Sequence, residues 1–251
     1  MWRGLAAASR VLKNENPQLS KECLDIALEI WQKDKNKARW PAFKIMALCE
    51  LFLTTDDPKL EQEIIALKDE ITRSLRFTAP SLGRVINKIN DNAFKSEIAD
   101  SVGSYMAHLK KKSKTDSPYG VPYEPRIWGA GWDIQRFGVD QYFIYKGWPE
   151  YGSPDLYLNA LNFVLGVHPG ENTASFASGV GSKSVLTAYG VNRADWSFIP
   201  GGVVSGTALI RPDLPELKEW PFFWQQTEYV MGGGSTRYMF LVLAAQKFYE
   251  E

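Results

Sequence analysis

The sequence predicts an all-α protein, on three observations. Apolar residues recur at spacings of three and four through most of the first 112 positions. No stretch alternates apolar and polar residues, and no Asn-Gly or Asp-Gly pair joins two β-rich runs. The breaks between periodic stretches are short and built from Asn, Asp, Pro and Lys. Helical hairpins packed side by side fit this pattern. No repeat of fixed short period is present, so the common solenoid types do not fit.

Residues 2–13 carry Leu5, Ala8, Val11 and Leu12 at helical spacing, and Asn14 to Pro17 break the run. Residues 18–33 resume it with Leu19, Cys23, Ile26, Ala27, Ile30 and Trp31. Residues 39–54 are apolar nearly all round (Trp40, Phe43, Ile45, Met46, Leu48, Cys49, Leu51, Phe52, Leu53), which predicts a fully buried helix. Asp57-Pro58 opens the next helix, since proline is accepted in a first turn, and the period runs to Leu75. Ala79-Pro80 predicts a break, followed by helices over 81–89 and 91–112.

Composition shifts at Thr115. Residues 116–128 read as a loop rich in proline and aromatics, then 129–146 and 155–165 as helices. Residues 166–219 are rich in Gly, Ser and Pro, and so long a loop is usually functional. The last helix covers 229–249. One helical domain over 1–251, with 115–251 forming a cleft, is the expected organisation.

The bulk composition excludes several function classes. The 29 basic and 29 acidic residues balance, so nothing supports nucleic-acid binding. No run of about 18 apolar residues exists, so no segment reads as membrane-spanning. The chain opens on an uncapped helix with no signal peptide, from which we expect further sequence upstream. Cys23 and Cys49 fall at core positions and read as small buried hydrophobes. Two histidines, His108 and His168, with no HExxH or CxxC pattern argue against catalytic zinc.

One stretch carries a candidate acid. Glu228 stands among Phe222, Phe223, Trp224 and Tyr229, just before Gly232-Gly-Gly234. A carboxyl group among aromatic rings loses hydration, which raises its pKa and suits it to protonate a leaving group. The same residue also reads as a solvated glutamate at a helix start, where the helix dipole favours it.

The surrounding motifs decide between these readings. Ser117-Pro-Tyr-Gly-Val-Pro-Tyr-Glu-Pro-Arg-Ile-Trp-Gly129 resembles the G-V-P-Y…W-G loop of glycoside hydrolase family 9, the cellulase family. Leu158-Asn-Ala-Leu-Asn-Phe-Val-Leu-Gly-Val-His-Pro169 resembles its Y-I-L-G-x-N-P stretch. Gly179-Val-Gly-Ser182, Asn192-Arg193 and Ile199-Pro-Gly-Gly202 are similar to its G-x-G-S…P-H-H-R…P-G segment. Thr227-Glu-Tyr-Val230 stands where the family has N-E-V-A, and Ala6-Ala-Ala-Ser-Arg-Val11 is similar to an A-A-A-x-R-V helix segment.

The resemblance implies an (α/α)6 barrel, here an incomplete toroid, and hydrolysis of β-linked glucan or a related glycan with inversion. It makes Glu228 the general acid and assigns Arg193, Asn192, Trp128, Tyr123 and Trp224 to the substrate. Trp196 is a weaker candidate, and His168 falls at an asparagine position and reads as structural. Two departures stand out. The family's D-A-G-D-Y segment, which supplies the catalytic base, is absent, and neither Asp133 nor Asp140 lies in that context. Val191-Asn192 replaces the family's two histidines.

The expected partners are an oligosaccharide or polysaccharide substrate and the remaining N-terminal part of the same polypeptide. No cofactor is expected; some family members bind calcium, and no ligand set can be placed here. The resemblance implies a secreted or periplasmic enzyme. The alternative is a non-catalytic helical carbohydrate-binding or interaction module that has lost its base.

Overall fold

The computed structural model describes residues 2–37, 40–115, 120–122, 130–167, 174–181, 183–184, 200–203 and 233–250. They fold as ten α-helices with two short strands among the described residues, so the all-α class holds. The chain divides into two compact units. The first is Met1–Ala107 with Phe143–Gly152, the second His108–Tyr142 with Ser153–Glu251.

The first unit holds α1 (Trp2–Leu12), α2 (Pro17–Asp34), α3 (Pro41–Thr55), α4 (Pro58–Ala66), α5 (Lys68–Arg73), α6 (Leu75–Leu82) and most of α7 (Asn92–Thr115). A shared device starts several helices. Asn16 before Pro17 accepts from the Leu19 N–H at 3.1 Å, and Asp57 before Pro58 accepts from the Lys59 N–H at 2.9 Å. The side-chain oxygen satisfies a donor that lacks an intrahelical partner, while proline occupies a position whose N–H would have none. Asp91 supplies the oxygen half of this device for α7, without the proline, accepting from the Phe94 N–H at 2.9 Å.

The middle of this unit is α3, with Ile45, Leu48, Leu51 and Phe52 buried. Its buried Glu50 pairs with Arg10 of α1 and with Arg84, and Arg84 lies over the Phe143 ring at 5.2 Å. Two guanidiniums on one carboxylate, with an aromatic face beside them, offset the cost of burying that charge. Glu61 of α4 is buried too, and its Oε1 accepts the Asn90 backbone N–H at 2.7 Å.

Several expectations fail in this unit. Pro80 lies inside α6 rather than ending it. It stands near the helix end and is buried, so the single lost i→i−4 bond is offset by packing. The predicted helix over 81–89 is only a 3-10 turn at Ile86–Lys88. Gly83 ends α6 where Phe143 returns: a methyl group there would lie 2.4 Å from the Phe143 carbonyl oxygen. The long helix expected from Pro58 is also divided, at Leu67 and Ser74.

In the second unit α8 (Ala130–Gly147, as far as Tyr142), α9 (Pro154–Val164) and α10 (Gly233–Glu250) carry the core. Gly138 of α8 seats against Ala160 of α9 and Leu241 of α10. Tyr142 stacks edge-on against Tyr157 at 5.5 Å and Phe240 at 5.1 Å. Strands β1 (Ala174–Ser175) and β2 (Lys183–Ser184) pair in parallel. Cys23 and Cys49 are buried and unbridged, as their helical positions implied. Among the described residues no helix is long and apolar enough to cross a membrane.

Candidate functional site

The motif stretches are far apart in sequence, and the second unit brings several together. Helix α9 begins at Ser153-Pro154, where the Ser153 hydroxyl accepts from the Asp155 N–H. It ends at the Leu-Gly of the L-G-x-H-P motif. There the Val167 N–H donates to the Asn162 carbonyl at 2.9 Å and the Gly166 N–H to the Phe163 carbonyl at 3.1 Å, with Gly166 at φ 105°. This paired closure satisfies carbonyls at the helix end and needs a left-handed residue, which glycine adopts without strain.

The chain then returns over that end. Phe176 donates its N–H to the Val164 carbonyl at 2.7 Å and packs edge-on against Phe163 at 5.7 Å. Gly181, of the G-x-G-S motif, lies directly on Leu165 with φ 80°. A methyl group there would stand 2.4 Å from the Leu165 carbonyl oxygen. The Pro-Gly-Gly motif closes on the same segment: Ser178 and Gly201–Gly202 exchange two backbone hydrogen bonds of 2.9 Å, and Ala177 bridges Val203. Against the middle of α9 the Gly-Val-Pro loop arrives. Gly120 lies against the Asn159 side chain, and Val121 is fully buried.

These contacts form a platform of backbone turns, and the candidate chemistry is attached to it in sequence. Glu228, Arg193, Asn192, Trp128, Tyr123 and Trp224 all lie outside the described residues, as do Trp196 and His168.

Charge gathers on α8 and α10 of the same unit. Asp133 pairs with Arg136 at 3.1 Å. Arg237 of α10 is held below the ordinary guanidinium value, first by burial and then by Arg136, with Asp140 and Asp133 opposing. Burial pushes the Tyr238 hydroxyl up. Gln135 of α8 is fully buried, and among the described residues neither of its amide atoms has a hydrogen-bond partner. Among the described residues no three His, Cys, Asp or Glu side chains group to hold a metal ion.

The first unit adds a feature that sequence reasoning assigned to the core. Trp40, Phe43 and Phe77 are 57%, 50% and 44% exposed. Trp40 stacks on Phe43 at 5.8 Å and 21°, and meets Phe77 at 6.1 Å; the Arg76 guanidinium lies over Phe77. The expectation that the whole 39–54 run is buried is thus corrected at its first turn. Trp40 precedes Pro41, so it caps the helix end rather than lying along its side. The Trp-Pro pair was the signal that marked it. An exposed group of flat rings flanked by a cation is suited to the apolar face of a sugar.

No family model matches the sequence, and no curated protein matches it. Solved structures do. AaCel9A in complex with cellobiose-like isofagomine matches with a TM-score of 0.75 at 15% identity, over 98% of this chain and 54% of that one. A thermostable endoglucanase from Alicyclobacillus acidocaldarius matches at 0.73 and 15% identity, over 97% and 54%. The GH family 9 endoglucanase J30 matches at 0.69 and 16% identity, over 97% and 53%. The chain therefore spans about half the length of the structures it matches. Over nearly all of its own length, it carries the all-α fold of the family 9 endoglucanases, the fold its motifs implied.

Proposed function

We propose that this chain supplies the acid-bearing half of an inverting glycoside hydrolase that cleaves β-linked glucan or a related glycan. The observation that carries the reading is the match of nearly the whole chain to endoglucanases, one of them holding a cellobiose-like ligand. The convergence of the motif turns around α9 supports it.

In this reading Glu228 protonates the glycosidic oxygen. A base on the opposite face of the sugar activates water across a gap of ~6.5–9.5 Å between the two carboxyl groups. That base comes from outside the 251 residues. Arg193 donates charge-assisted hydrogen bonds to a sugar hydroxyl. Trp128, Tyr123 and Trp224 offer stacking faces, and Asn192 binds the substrate as well. The enzyme acts outside the cytoplasm. No cofactor is required, and calcium binding is left to direct measurement.

The test compares hydrolysis of β-glucan by the complete gene product and its Glu228→Gln variant. Loss of turnover with retained binding supports the acid; an unchanged rate overturns it. The absence of a D-A-G-D-Y segment from these residues favours a second reading, a carbohydrate-binding module without hydrolysis. Quenching of tryptophan fluorescence by cello-oligosaccharides, with no product from any form of the protein, would select it.

A further inference from the structure

The whole chain balances 29 basic against 29 acidic residues, yet the two segments that build the exposed aromatic group of the first unit hold no acid. Residues 35–49 carry four cations and residues 71–90 another four, with no Asp or Glu in either. Five of those eight cations are answered by carboxylates from outside the two segments, Arg73 by Glu70 among them. Arg76 is different. It is exposed, and no carboxylate among the described residues pairs with it. Its guanidinium lies instead 5.7 Å from the centre of the Phe77 ring. Phe77 in turn meets Trp40 at 6.1 Å and 50°, and Trp40 lies nearly parallel to Phe43. Two helix starts supply this corner, α3 giving Trp40 and Phe43, and α6 giving Arg76 and Phe77.

The two halves of the corner ask for different chemistry. Exposed aromatic faces suit the flat apolar face of a sugar ring. A guanidinium held against a ring keeps its N–H fork free, and that fork fits a carboxylate through two parallel hydrogen bonds. A uronic acid carries both features on one ring, an apolar face and a carboxylate at C6. We propose that the Trp40–Phe43–Phe77 corner with Arg76 binds a uronic acid residue of a glycan, the sugar face stacked on Trp40 and the carboxylate paired with Arg76. This deepens the proposed function by naming a sugar class, and it rests on that reading only in taking the ligand to be a glycan.

The probes are cellotetraose and the same tetramer oxidised at every C6 to glucuronic acid. Each is titrated calorimetrically into the complete gene product carrying Glu228→Gln, so that neither is consumed. The oxidised tetramer is expected to bind about tenfold more tightly at low salt, the gain of one charge-assisted contact. Arg76→Gln removes that preference and leaves cellotetraose binding as it was, whereas Trp40→Ala weakens both ligands. Lys59→Gln, at an exposed lysine of α4, alters neither. Absence of binding, equal affinity for the two tetramers, or a preference that survives Arg76→Gln overturns the proposal. So does a preference that Lys59→Gln lowers as much as Arg76→Gln, because general positive charge then accounts for it. Turnover of β-glucan by the unsubstituted protein and by Glu228→Gln is read separately. If Arg76→Gln removes the preference while Glu228→Gln leaves turnover unchanged, the acid assignment alone fails. If Glu228→Gln abolishes turnover while the preference survives Arg76→Gln, only the uronate site fails.

Discussion

Helices α3 and α10 read alike in sequence, and the structure treats them differently. Both carry an unbroken apolar run, Ile45–Cys49 in α3 and Tyr238–Ala245 in α10. Helix α3 buries Ile45, Leu48, Leu51 and Phe52, and even the charged Glu50 is covered there. Helix α10 buries Leu241, Ala244 and Ala245 but leaves Met239 and Leu243 in solvent. Apolar composition therefore states what a helix is able to bury. Whether it does so depends on neighbours that the helix itself does not encode.

The contrast is open to attack by mutation. The largest effect is expected from Leu48→Ala, which empties a fully buried site in α3 and should lower stability by ~2–5 kcal/mol in chemical denaturation. Glu50→Ala should cost about 3 kcal/mol, the lower end for a broken buried pair, because Arg10 and Arg84 keep part of their surface in water. Its signature is rescue by a second change, Arg84→Met, which removes one of the stranded charges. Gly181→Ala should cost roughly 1–3 kcal/mol through its left-handed backbone and the close Leu165 carbonyl. Its loss should appear as faster amide exchange at Phe176 and Ser178 before any global melting. At the other extreme, Leu243→Ala in the isolated chain should move stability by less than ~0.5 kcal/mol. A loss as large as that of Leu48→Ala would show that α10 is covered on both sides and would erase the contrast.

One further difference is confined to alkaline solution. Burial, reinforced by Glu50, pushes the Cys49 thiol from 9.0 up to about 12. Below pH 9 the thiol is protonated in both folded and unfolded chains, and its contribution is fully present. Above pH 9 only the unfolded chain ionises, so stability falls until the folded thiol titrates near 12. Cys49→Ala should remove that slope between pH 9 and 12, on top of a pH-independent loss from the vacated core site. An unaltered alkaline limb would show that other groups set it.

Much of the helical framework was legible because its signals are local. Asn16-Pro17, Asp57-Pro58 and Ser153-Pro154 announce helix starts through one oxygen and one missing N–H. Gly166 announces a stop through its backbone freedom. The errors come from tertiary packing. Pro80 stays helical because its ring is buried, and 81–89 does not form a helix because Gly83 meets a strand of chain sixty residues later. Trp40 and Phe43 share the apolar character of Ile45, and only position at the helix end separates exposed ring from core. For the candidate site the glycine turns were legible as motifs, and they fold together around α9. Glu228 and Arg193 stand on motif context and order in the chain, and the Glu228→Gln comparison addresses them directly.

The interleaving of the two units bears on how the protein is made. The first unit takes residues Phe143–Gly152 back into itself, with Gly103 against Tyr151 and Gly147 against Gly83. Residues His108–Tyr142, which emerge from the ribosome earlier, belong to the second unit. The first unit is thus incomplete when residue 107 leaves the exit tunnel and must wait for residue 152. At ~5–20 residues per second, that interval lasts roughly 2–9 s, during which the surface of Gly83 stays open. A single cut in the chain separates neither unit from the other, so truncations at residue 107 or 152 should yield soluble protein less readily than the intact chain.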